Sequence, residues 1–67
     1  MNKRTFLNYL EQADVGKEVI ISKENYNNIY WSPVYVFCQN LERTKRFKGY
    51  KFSVQSGRNQ YILTRIK

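Results

Sequence analysis

The sequence predicts an α+β fold: one N-terminal helix packed on an antiparallel β-meander of about four strands. Three observations support this. Apolar residues recur at helical spacing near the N-terminus. The rest of the chain alternates or is rich in β-branched and aromatic residues. The segments joining these runs are too short for parallel crossovers, which leaves antiparallel pairing.

The helix is expected over residues 3–14. Asn2 can cap it, its side-chain oxygen accepting a free N–H of the first turn. Phe6, Leu7, Leu10 and Ala13 then form one stripe with Tyr9 at its edge, and Gly16 suits the left-handed position that stops a helix. Lys17 to Ser22 reads as a short strand, with Val19 and Ile21 on one face and Ile20 on the other. Residues 22–28 contain three asparagines and read as a turn. Residues 29–38, from Ile29 through Tyr30, Trp31, Val34, Tyr35, Val36 and Phe37, give the strongest strand signal. Pro33 interrupts that run and marks it as an edge or a bulge, because proline donates nothing to a ladder.

Gln39 to Lys45 is a polar connection. Arg46 to Val54 and Gln60 to Ile66 are read as the last two strands. A three-residue turn at Ser56–Arg58 would set Phe52 opposite Ile62 and Tyr50 opposite Thr64. That register gathers Tyr50, Phe52, Val54, Ile62 and Ile66 under the helix. It turns Lys45, Phe47, Lys51, Tyr61, Leu63, Arg65 and Lys67 outward together. The string Lys48-Gly49-Tyr50-Lys51-Phe52-Ser53-Val54 shares Lys48, Gly49, Tyr50 and Phe52 with the ribonucleoprotein motif of RNA-recognition and cold-shock domains. In that motif the intervening residues pack inside, and Gly49, Lys51 and Ser53 make a poor interior. Tyr50 and Phe52 are therefore expected to be buried, and no family membership follows.

Composition bounds the function. At 67 residues the chain has room for a single small domain, 1–67, and one small core. With one cysteine, Cys38, and no histidine, it has neither an intramolecular disulfide nor the usual zinc ligands to staple that core. Eleven aromatic residues compensate, and a homodimer or a protein partner is a further source of stability. No apolar run is long enough to span a membrane or to follow Lys3 and Arg4 as a secretory signal. A lone cysteine fits a reducing interior, so a soluble cytoplasmic protein is expected. Heavy use of Asn, Lys, Ile, Tyr and Phe, all encoded by AT-rich codons, suggests a low-GC bacterium or its mobile elements.

Catalysis finds little support. There is no histidine to shuttle protons, Asp14 is the only aspartate, and Cys38 has no base. Gly16, Gly49 and Gly57 are scattered and form no phosphate loop. No metal, cofactor or small-molecule substrate is expected.

Charge is the informative signal. Residues 1–42 carry four basic and five acidic side chains, whereas residues 43–67 carry eight basic and no acidic ones. A basic segment interleaved with aromatics is the footprint of a surface that meets polyanions. The expected nucleic-acid interface, for DNA or RNA, is Arg43, Lys45, Arg46, Lys51, Arg58, Arg65 and Lys67 as phosphate contacts with Phe47 and Tyr61 as stacking platforms. The alternative is a protein-binding module, an inhibitor or assembly factor docking through Tyr30, Trp31 and Tyr35 on the rim of the Pro33 strand.

Overall fold

The computed structural model describes residues 1–67. The element order is α1 (Lys3–Gln12), β1 (Glu18–Ser22), α2 (Lys23–Ile29), α3 (Val34–Glu42), β2 (Phe52–Ser56) and β3 (Gln60–Arg65). The fold is α+β, but with three helices and a three-stranded antiparallel sheet in the order β1-β3-β2. All three helices contribute to one core on one face of the sheet. On the other face Ile20 is half exposed.

α1 forms where the apolar stripe predicts. The Asn2 side-chain oxygen accepts the Thr5 N–H at 2.8 Å, and Phe6 and Leu10 are fully buried. Gly16 takes φ +91° in the turn that follows, a conformation in which a Cβ would be strained. β1 also forms as expected, Val19 and Ile21 facing the helices and Ile20 facing away.

The middle of the chain departs from the expected strand. The turn-like stretch after Ser22 is the short helix α2, nucleated by the Ser22 hydroxyl, which accepts the Asn25 N–H at 3.1 Å. Tyr26 anchors it, almost wholly buried, and donates its hydroxyl proton to the Ser32 carbonyl at 2.7 Å. Residues 34–42 form α3 instead of an edge strand. Its buried residues are Val34, Phe37, Cys38 and Leu41, spaced i, i+3, i+4 and i+7, which places all four on one helical face. A strand would have turned Phe37 and Cys38 to opposite sides of the sheet. Packing thus overrides the β preference of Val, Tyr and Phe. Pro33, with φ −55° just before the first turn, is already set for helix entry.

The C-terminal hairpin forms in a different register. Phe52 pairs with Arg65, Val54 with Leu63 and Ser56 with Tyr61, three residues away from the expected alignment. An odd slip exchanges the faces of β3, so Leu63 is the buried residue and Ile62 turns outward. The reason is β1. β3 is the central strand, and its alignment with β1 sets Val19 opposite Leu63 and Ile21 opposite Tyr61. The row Val19–Leu63–Val54 then lies continuous beneath the helices.

Candidate nucleic-acid interface

The basic residues of the C-terminal third do not share an outer sheet face. That face carries Glu18, Ile20, Ser22, Ser53, Gln55, Gln60, Ile62 and Thr64, with no cation from any of the three strands. The cations collect where α3 ends and turns into β2. Thr44 closes α3, its hydroxyl donating to the Leu41 carbonyl at 2.7 Å. Arg43, Lys45 and Lys48 then project from residues 43–49 and are exposed. Gly49 takes φ +87° to bring the chain back toward the sheet. Lys51, two residues on, is held beside Lys67: its N–H donates to the Lys67 carbonyl at 3.2 Å, and its own carbonyl accepts the Ile66 N–H at 2.8 Å. Arg43, Lys45, Lys48, Lys51 and Lys67 therefore occupy two adjoining segments.

Two of the expected phosphate contacts have structural partners. The Arg46 Nε donates to Glu11 Oε2 at 2.8 Å, and its Nη2 reaches Glu11 Oε1 at 3.2 Å and Asn8 Oδ1 at 2.7 Å. These bonds tie the turn to α1 and hold the Glu11 carboxyl below its ordinary range. Arg65 lies with its guanidinium carbon 3.8 Å from the centre of the Tyr50 ring. It also donates to the Ala13 carbonyl and the Lys67 carbonyl, each at 3.0 Å. Arg58 sits in the β2–β3 loop, at the opposite end of a five-residue strand and so about 17 Å from Lys51.

Neither stacking platform is open. Phe47, expected outside, is 1 % exposed and lies edge-on against Tyr50 at 5.2 Å and Phe52 at 6.1 Å. It is buried because residues 45–49 form a turn folded onto the core rather than an alternating strand. Tyr61 faces the helices in the observed register and packs edge-on against Tyr26 at 5.3 Å. As expected, Phe52 is buried and Tyr50 partly so, the Tyr50 hydroxyl donating to the Glu11 carbonyl at 2.7 Å.

The aromatic rim also differs, because no strand carries it. Tyr30 is turned inward, 4.3 Å from Phe37, and burial pushes its phenol up to about 12. Trp31 is fully exposed in the α2–α3 loop, and Tyr35 is exposed on α3. Lys3, which is not among the expected contacts, has its ammonium 5.3 Å over the Tyr30 ring. It lines a groove of about 200 Å³ with Leu7, Asn40, Leu41 and Thr44, between α1 and α3. Reading residues 34–41 at helical spacing would have revealed that neighbour.

Cys38 is buried, and burial, aided by the Glu42 charge, pushes its thiol up to about 12. No three His, Cys, Asp or Glu residues stand together as a metal site. The largest concavity, about 490 Å³ between α1 and β1, shares no residue with the basic turn. Set against family models, curated proteins and solved structures, the chain matches none.

Proposed function

We propose that this chain is a small non-enzymatic accessory or regulatory protein that binds DNA or RNA through the basic turn after α3. The observation that carries this is the set Arg43, Lys45, Lys48, Lys51 and Lys67. All five are exposed, none makes a side-chain hydrogen bond, and the molecule's single ion pair is Arg46–Glu11. Unpaired cations on adjoining segments displace counterions from a phosphate backbone at no cost to internal contacts. Such binding is weak in sequence specificity, since phosphates carry no base information. No helix is long and apolar enough to cross a membrane, and the cytoplasm is the compartment this function implies.

Titration of labelled single-stranded and duplex DNA and RNA across a salt series tests this. Five phosphate contacts correspond to a slope of log affinity against log salt of about −3.5 to −4.5. The triple substitution Lys45→Glu, Lys48→Glu, Lys51→Glu removes the binding. Absence of any complex at low salt refutes the function. Exposure of Trp31 and Tyr35 supports a second reading, a protein-binding module such as an inhibitor or assembly factor. It requires a defined partner that survives nuclease treatment and is lost with Trp31→Ala.

A further inference from the structure

The geometry points to a single strand as the preferred target, laid along the α1–α3 groove with one unpaired base stacked on Trp31; this rests on the nucleic-acid binding proposed above. Trp31 is fully exposed, so its ring is open to solvent and free to stack. The loop that carries it is nonetheless fixed. The Tyr26 hydroxyl donates to the Ser32 carbonyl at 2.7 Å, the Tyr30 N–H to the Tyr26 carbonyl at 2.8 Å, and the Phe37 N–H to the Pro33 carbonyl at 3.0 Å. With the backbone fixed, binding orders only the two side-chain torsions of the indole.

The surroundings select the ligand. Tyr30, the residue before Trp31, lies under the Lys3 ammonium. Lys3 lines the groove with Asn40 and Thr44, and Thr44 sits between Arg43 and Lys45 of the basic turn. α3, which separates the Trp31 loop from Arg43, is nine residues and about 13 Å long, or some four phosphates at the spacing of one stacked strand. The only ionisable side chains lining this groove are Lys3 and Tyr30, so it carries no negative charge. Glu11, on the neighbouring stretch of α1, is already held by Arg46. An anionic chain bearing flat aromatic groups matches this arrangement, and only unpaired bases offer their faces for stacking. A protein partner would meet Trp31 together with the exposed Tyr35, and has no use for the cations that line and adjoin the groove, so charge favours the anionic chain.

Trp31 is the only tryptophan, so its emission reports on contact directly. The protein is titrated with a fluorescently end-labelled oligothymidylate of roughly ten nucleotides and with a duplex of equal length, following label anisotropy and Trp31 emission together. The single strand should quench Trp31 saturably. Trp31→Ala should weaken single-strand binding by about 5- to 150-fold, leave duplex binding unchanged, and be largely rescued by Trp31→Phe. Full exposure of the side chain means that neither substitution disturbs the core, which circular dichroism verifies. Anisotropy that rises without quenching, with Trp31→Ala binding as wild type, overturns the stacking inference and leaves phosphate binding standing. Equal quenching by duplex overturns the single-strand preference. No anisotropy change with either probe overturns both. A nuclease-resistant protein complex lost with Trp31→Ala, beside unquenched single-strand titrations, assigns the indole to protein docking instead.

Discussion

Phe47 separates a binding residue from a core residue. Its ring is 1 % exposed and touches Tyr50 and Phe52, so Phe47→Ala removes buried apolar surface and leaves a void. Truncation of a buried phenylalanine costs about 3–5 kcal/mol. A 67-residue domain holds about 3–10 kcal/mol in total, at roughly 0.05–0.15 kcal/mol per residue. The substitution therefore consumes between a third and all of the stability. Urea unfolding followed by far-ultraviolet circular dichroism measures this, and the midpoint should fall by at least about 1 M. Trp31 emission is a poor probe here, because the indole is solvated in the folded state. Lys48→Ala, one residue along and exposed, should stay within about 0.5 kcal/mol of wild type. A Phe47→Ala variant with an unchanged urea midpoint would refute the burial argument and return Phe47 to the surface.

Arg65 and Lys51, both expected as phosphate contacts, should behave differently from each other. Arg65→Glu forfeits the stack on Tyr50 and the bond to the Ala13 carbonyl and should lower stability by about 2 kcal/mol, whereas Lys51→Glu should leave the thermal midpoint unchanged. Equal midpoints for the two variants would show that Arg65 is not a structural residue. Alkaline pH should unfold the protein. Cys38 is raised from 9.0 to about 12 and Tyr30 from 10.0 to about 12, so above pH 9 the unfolded chain loses protons that the folded chain retains. Their contribution to stability is complete below about pH 9 and is lost as pH rises toward 12, a trend that urea midpoints across pH 8–11 measure. Flat midpoints over that range would show that neither group is desolvated.

The N-terminal part of the fold was easier to read than the rest. α1 was legible because cap, stripe and glycine stop agree, and β1 because three successive aliphatic residues leave no doubt about which two share a face. α3 was misread because residues 29–38 satisfy two patterns at once. Their composition favours a strand, while Val34, Phe37, Cys38 and Leu41 trace a helical face; the deciding residue, Leu41, lay beyond the stretch taken as strand. The hairpin register was misjudged because it was weighed from β2 and β3 alone. Pairing of β3 with β1 on its other side fixes which β3 residues point inward. That one slip moved Tyr61 and Arg65 from the expected binding face to the core side of the sheet.

The basic character of the last 25 residues belongs to the sequence, since charge depends on composition and not on conformation. So do the amphipathic helix at the start and the antiparallel pairing that short connections impose. Which cations stand free and which serve the fold was decided only in three dimensions. Arg46 reaches back 35 residues to Glu11, and Arg65 reaches 52 residues to the Ala13 carbonyl. Contacts across such separations have no local signature, because they arise from the packing of elements whose own spacing says nothing about their neighbours. The same holds for the aromatics: alternation placed Phe47 outside, and the turn at residues 45–49 folds it onto Tyr50 and Phe52 in the core.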